Sequence, residues 1–249
     1  MAIIELRNVS KSFKGQKVLD GLNLEIEERK TTIIIGKSGG GKSVMLKHII
    51  GLLKPDSGEI FIEGKPTTKS REPEHKEIRK MFGMLFQEAA LFDSLNVYEN
   101  VAFPLREHTR KSEAEIAIIV AERLAAVGLF GIESKMPGEL SGGMRKRVGL
   151  ARAIALQPKI VLFDEPTTGL DPIMANTINE LIIDTQRRFS LTCVIISHDV
   201  SSIFTVGHRI AMLYEGKIIA ADEAEALRNS DNEVVRQFLE GHPTAPIKI

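Results

Sequence analysis

The stretch Thr31-Thr32-Ile33-Ile34-Ile35-Gly36-Lys37-Ser38-Gly39-Gly40-Gly41-Lys42-Ser43 decides the fold. Its β-branched opening reads as a buried strand. Gly36 to Ser43 then match G-x-x-x-x-G-K-[ST], a loop whose backbone N–H groups cradle phosphates. Leu46, Ile49, Ile50 and Leu53 recur at helical spacing, so a helix is expected to follow. A glycine turn without a ligand is the plain alternative, but a strand before and a helix after are the context the phosphate loop requires. The glycines let the chain curl, and the helix start adds partial positive charge. Lys42 is expected to reach the β- and γ-phosphates, and the Ser43 hydroxyl to bind Mg²⁺.

Two further apolar runs end in polar residues. Ile160-Val161-Leu162-Phe163 leads into Asp164-Glu165, and Thr192-Cys193-Val194-Ile195-Ile196 leads into Ser197-His198-Asp199. Ligands of open α/β sheets bind at the carboxyl ends of strands. Asp164 there is suited to Mg²⁺, and Glu165 to polarising a water for in-line attack. Alone, the acidic pair also reads as a solvated turn, and the phosphate loop tips the balance. His198 is a candidate contact to the γ-phosphate or the attacking water. Ser141-Gly142-Gly143 opens a helix with Ser141 as N-cap, a start that binds anions or is simply capped. On that helix Val148, Ala151 and Ala155 are expected inward, and Arg145, Lys146, Arg147 and Arg152 mostly outward.

Around these runs the pattern alternates between strand and helix, which indicates an α/β chain with a mainly parallel sheet. Leu22, Leu24 and Ile26, and then Glu59 to Glu63, alternate like half-exposed antiparallel strands. Lys65 to Lys80 reads as loop plus a short helix, and Met81 to Phe86 as a strand. From Gln87 the pattern turns helical up to about Gln157. Ser112 with Glu115 forms a capping box there, Ile116, Val120, Leu124 and Val127 share a face, and Gly128 is the stop. Ile210 to Leu213 and Lys217 to Ala220 suggest a hairpin, Asn232 to Glu240 an amphipathic helix, and His242 to Ile249 an irregular tail.

Hydrophobic content of 43% and charged content of 27% over 249 residues fit a globular protein. Lys+Arg 33 and Asp+Glu 33 cancel, which gives no support to nucleic-acid binding. Cys193 has no possible disulfide partner in the chain and lies in an apolar run, so a buried thiol in a reducing compartment is expected. There is no signal-peptide pattern, and no run reaches the ~18 apolar residues of a membrane span.

Taken together, the motifs resemble the nucleotide-binding subunit of ABC transporters along nearly the whole chain. Gly36, Lys37, Ser38, Gly39, Gly40, Gly41, Lys42 and Ser43 look like its Walker A loop, and Ile160 to Glu165 like Walker B with its catalytic Glu. Leu140 to Met144 look like the ABC signature, Gln87 like the Q-loop glutamine that touches Mg²⁺, Asp171 like the D-loop and His198 like the switch histidine. Phe13 falls where the family stacks an aromatic on adenine. Met144 replaces the usual Gln, and Phe13 the usual Tyr, which keeps the π-face.

The resemblance implies a P-loop NTPase core with a mainly parallel sheet, an antiparallel β subdomain and a helical signature-bearing subdomain. It divides the single domain 1–249 into a core at 1–86 and 158–225, a helical part at 87–157, and a C-terminal helix and tail at 226–249. It further implies ATP hydrolysis with Mg²⁺ in a head-to-tail homodimer. Each ATP is sandwiched between one Walker A and the other copy's Ser141, Gly142, Gly143 and Met144. Lys42, Glu165 and His198 are the implied catalytic residues, and Ser43, Gln87 and Asp164 the implied metal ligands. The Met-ending signature, the stretch from Met84 to Thr109 and Met136-Pro137 look like the Mla/Mce type of cassette, which drives phospholipid movement. That type implies an integral-membrane permease, a lipid-binding substrate protein and a peripheral position on the cytoplasmic face of the bacterial inner membrane. An ABC ATPase for another cargo and a non-transport ABC ATPase are the alternatives.

Overall fold

The computed structural model describes residues 1–68 and 72–241. In chain order its elements are β1 (Ala2–Phe13), β2 (Gln16–Glu27), β3 (Thr31–Ile35), α1 (Lys42–Ile49), β4 (Ser57–Ile62), β5 (Lys65–Pro66), α2 (Glu72–Lys80), β6 (Phe82–Leu85), α3 (Val97–His108) and α4 (Glu113–Ala126). After a short 3-10 turn at Pro137–Glu139 come α5 (Gly142–Ala153), β7 (Ile160–Asp164), α6 (Pro172–Phe189), β8 (Thr192–Ile196), α7 (Val200–Val206), β9 (Arg209–Tyr214), β10 (Lys217–Glu223), α8 (Ala224–Arg228) and α9 (Glu233–Glu240). The chain forms two compact units. One comprises residues 1–75 with the chain from Val194 onward, and the other Lys76–Cys193.

In the first unit, β2, β1, β4 and β5 lie side by side in an antiparallel sheet. Alternation sets its register. Leu6 faces Leu24 on one side and Ile60 on the other, and all three are buried. Each such side chain taken out of water contributes about 1.5–3 kcal/mol. β3 pairs in parallel with β9, Ile33 opposite Ile210 and Ile35 opposite Met212. All five residues of β3 are buried, as the apolar run predicts. β9 and β10 form the expected hairpin, with Tyr214 opposite Lys217. Glu215 and Gly216 both adopt positive φ, 46° and 77°, the turn that matches strand twist.

The helix after the phosphate loop stops at Ile49, short of the periodicity that runs on to Leu53. Gly51 N–H reaches back to His48 O at 3.1 Å and Leu52 N–H to Lys47 O at 2.8 Å, a pairing that closes a helix by satisfying its last carbonyls. At the far end, the Asn232 side chain accepts from Val234 and Val235 N–H and starts α9 as expected. The expected tail His242 to Ile249 and positions 69–71 lie outside the described residues.

In the second unit, β6 and β7 pair in parallel, Leu85 opposite Phe163. The Ser112–Glu115 capping box forms, α4 buries Ile116, Val120 and Leu124, and Gly128 follows its end at φ 67°. Helix does not begin at Gln87, however. The first helix here after β6 starts at Val97, capped reciprocally by Asn96 and Glu99. The segment before it is held by side chains instead of by i to i+4 bonds. Asn100, fully buried, accepts from Phe92 N–H at 2.8 Å and donates to Phe92 O, Leu95 O and Asn96 O. The guanidinium of Arg152 donates to Ala89 O at 2.7 Å and Ala90 O at 2.8 Å. Strand β6 lies so near the end of α5 that a Cβ on Gly83 would sit 2.1 Å from Ala153 O. β8, all of it buried, carries Cys193 at 0% exposure, and the chain passes from the second unit to the first between Cys193 and Val194.

Candidate nucleotide site

Each unit carries part of the expected site. In the first, β3 delivers Gly36 at φ 144° beside Leu213 O, where a Cβ would come within 2.1 Å of that oxygen. Only glycine fits there. The chain then turns, Gly40 N–H bonding Lys37 O at 3.0 Å. Gly41 starts α1 in the left-handed region and offers no side-chain cap, and no acidic residue stands in the first turn. The helix start therefore keeps its positive end facing outward along the loop. Lys42 is 6% exposed, and its ammonium donates to Gly36 O at 2.7 Å and Lys37 O at 2.9 Å. The loop wraps around the lysine's own charge.

Phe13 ends β1 and is 42% exposed. The Lys11 ammonium lies 5.6 Å from the ring centre and pairs with Asp56 at 2.7 Å. Asp56 also accepts Ser12 N–H at 2.7 Å. The Lys11 hydrogen bond, then that of Ser12, holds the Asp56 carboxyl below its usual range. Asp56 thereby ties the strand end bearing Phe13 to the segment after α1. On the same unit, Ser197 N–H bonds Ile34 O at 3.3 Å, so exposed His198 leaves its strand level with the end of β3.

In the second unit the β6–β7 register sends Gln87 and the Asp164–Glu165 pair out at the same strand ends. Glu165 adopts φ 50°, a conformation that costs a non-glycine residue about 1–3 kcal/mol and gathers at functional sites. Its Oε2 accepts from Thr168 Oγ1 at 2.9 Å. Ser141 caps α5, its Oγ accepting Met144 N–H at 3.3 Å. Gly142 and Gly143 lie beside Leu170 and Met174, and Asp171 caps α6 by accepting Ile173 and Met174 N–H at 3.0 Å. The signature and D-loop candidates are thus neighbours.

One expectation on α5 is corrected. Lys146 does not point outward: it is 5% exposed and donates to Pro166 O and Thr168 O, each at 2.7 Å. Its position, three before Gly149 and seven before Ala153, puts it on the buried face. That helical spacing, not charge, was the signal in the sequence. Arg152, expected mostly outward, is half-buried and turns its guanidinium onto Ala89 O and Ala90 O, and Asp56 was not singled out from the sequence.

The ABC transporter family profile matches residues 19–168. The chain is 46% identical over 244 residues to the probable ribonucleotide transport ATP-binding protein mkl of Mycobacterium leprae, spanning 98% of this chain and 70% of that protein. It is 42% identical over 246 residues to the intermembrane phospholipid transport system ATP-binding protein MlaF of Haemophilus influenzae, spanning 99% of this chain and 93% of that one. Among solved structures, the dimeric post-hydrolysis state of the ATP-binding cassette MJ0796 bound to ADP and Pi superposes with a TM-score of 0.81 at 34% identity, over 88% of this chain and 98% of that chain. With its phosphate loop, its carboxylate pair and these relatives, the chain belongs to the ABC transporter family, as an ATP-binding and ATP-hydrolysing cassette.

Proposed function

We propose that this chain powers the movement of lipid, specifically phospholipid, through a separate membrane permease, working as a head-to-tail pair of copies. The observation that carries the cargo is the near end-to-end similarity to MlaF, 42% identity over 99% of this chain and 93% of that protein. The mkl relative, 46% identical over 70% of its own length, favours ribonucleotide as the second reading. The MJ0796 cassette, dimeric with ADP and Pi, supports the pair.

In this reading Lys42 and the backbone of Gly36 to Ser43 hold the β- and γ-phosphates, and Phe13 stacks on adenine. Glu165 polarises the attacking water, a contribution of about 10²–10⁴ in rate, and His198 steadies that water or the γ-phosphate. Ser141, Gly142, Gly143 and Met144 of the other copy complete the site, with Asp171 beside them. Loss of the γ-phosphate removes the charge that joins the copies, and they part. Ser43, Gln87 and Asp164 offer hydroxyl, carboxamide and carboxylate oxygens, the donor types that suit a hard cation such as Mg²⁺. That ion, when bound, neutralises charge on the β- and γ-oxygens. Residues 1–86 and 158–225 act as the core, 87–157 as the moving helical part and 226–249 as the C-terminal appendage.

No helix among the described residues is long and apolar enough to cross a membrane. In this reading the transport path is the permease's. A groove of about 730 Å³ in the second unit, lined by Phe86, Phe92, Phe103 and Pro104 among others, adjoins Gln87 and suits a permease helix. The ring centroids of Phe92 and Phe103 lie 4.9 Å apart there, and the two residues are 43% and 40% exposed. The pair then sits on the cytoplasmic face of the bacterial inner membrane, with a lipid-binding protein supplying or receiving cargo.

The test is reconstitution of chain and permease in liposomes. Addition of Mg²⁺ and ATP should release phosphate and move a fluorescent phospholipid. ATP-driven movement of ribonucleotides with stationary phospholipid would transfer the assignment to the second reading.

A further inference from the structure

Burying an ammonium is unfavourable unless its protons are taken up. Lys146 is 5% exposed on the inner face of α5. A methionine would fill almost the same volume without any charge to desolvate, so packing alone gives no reason for lysine. What the charge does is local. It grips Pro166 O and Thr168 O, each at 2.7 Å. Those carbonyls flank the turn that follows Glu165. Thr168 N–H closes that turn on Glu165 O at 3.3 Å, and its hydroxyl holds Glu165 Oε2 at 2.9 Å. Glu165 itself sits at φ 50°, a shape that persists only where the surroundings enforce it.

We propose that Lys146 is a positioning residue for ATP hydrolysis: from the helix that begins with Ser141-Gly142-Gly143, it fixes the 165–168 turn in the shape that presents the Glu165 carboxylate. The inference rests on Glu165 as the water-polarising group. Burial lowers the Lys146 pKa, while the negative charges of Glu88 and Glu165 favour the ammonium. The lysine is not a group that touches ATP. In the two-copy reading it belongs to the helix whose start serves one nucleotide, and through the carbonyls of Pro166 and Thr168 it shapes the turn whose carboxylate serves the other.

Steady-state hydrolysis by the full chain assembled with its permease tests this. Lys146→Met keeps length and removes all donors, and Lys146→Gln keeps a neutral donor. A misplaced carboxylate costs about 10–100-fold in kcat, so Lys146→Met should lose that much while KM for ATP stays within about twofold. Lys146→Gln should fall between it and the wild type, and it gives the same kcat-against-KM reading if the methionine variant does not fold. In a Glu165→Gln background, Lys146→Met should cause no further fall, because the group it positions is already gone. An unchanged kcat in a folded Lys146 variant, a rise in KM alone, or an equal second loss on top of Glu165→Gln would overturn the proposal. Wild-type turnover by Glu165→Gln would instead remove the general-base reading itself, whatever position 146 does.

Discussion

The ammonium of Lys42 lies 2.7 Å from the carbonyl oxygen of Gly36, six residues back along the chain. Together with its bond to Lys37 O at 2.9 Å, this makes the lysine both the charge of the phosphate loop and a strut across it. Lys42→Ala removes both. Charge-assisted hydrogen bonds contribute about 1.5–3 kcal/mol each, so ATP affinity should fall by at least about tenfold, and phosphate release should drop to background. Equilibrium binding of a fluorescent ATP analogue measures the first effect. Unaltered affinity would show that the loop does not use this charge.

Glu165→Gln keeps the shape of the side chain and its acceptor for Thr168 Oγ1, now at 2.9 Å, while removing the negative charge. Turnover should fall by about 10²–10⁴, with ATP still bound. The copies should then stay joined, visible as a doubled mass on light scattering after chromatography in ATP. A monomeric profile with ATP retained would argue against the two-copy site.

Arg152 draws its guanidinium to Ala89 O and Ala90 O at 2.7 and 2.8 Å. Both alanines adopt positive φ, 60° and 45°, so little in their own chemistry keeps them there. Loss of those bonds in Arg152→Ala should destabilise the protein by about 1.5–3 kcal/mol. A shifted urea midpoint with unchanged slope is the expected signature. Because Gln87 precedes this turn, the same variant should respond less to its permease in phosphate release.

Glu27 bonds Lys30 and Arg209, in that order of effect, and its carboxyl is held at about 2, against 4.5 ordinarily. A lowered folded-state value means the contribution is present above pH 4.5 and fades as pH falls toward 2. Glu27→Gln should therefore flatten the acid side of the stability profile in that window and leave its shape above it intact. Unfolding midpoints taken across the range would reveal the difference, and superimposable acid limbs would disprove it.

Much of the fold was legible because burial writes itself into short runs. Thr31 to Ile35 and Thr192 to Ile196 read as buried strands and are buried throughout. Ser112 and Glu115 read as a cap and form one. What failed to show was structure made by distant side chains. Asn100 replaces a helical ladder before Val97 with four hydrogen bonds of its own, and no local pattern announces that. Lys146 looked like a solvated cation because charge outweighed position in the reading, whereas its acceptors at Pro166 and Thr168 lie some twenty residues ahead. For the site, the loops were visible as motifs. The ties that shape them, from Asp56 to Ser12 and from Arg152 to Ala89, depend on chain segments meeting in space.

Cys193 is the one cysteine in the sequence, and its sulfur lies within β8 at 0% exposure. Maleimides and methanethiosulfonates attack thiolates that solvent can reach, so the native chain should stay silent toward them. A cysteine placed at exposed Glu139, just ahead of Ser141, would then accept a spin label or dye without prior removal of any natural thiol. Labelled copies could report their mutual separation through a full cycle of nucleotide capture and release, in the otherwise native protein.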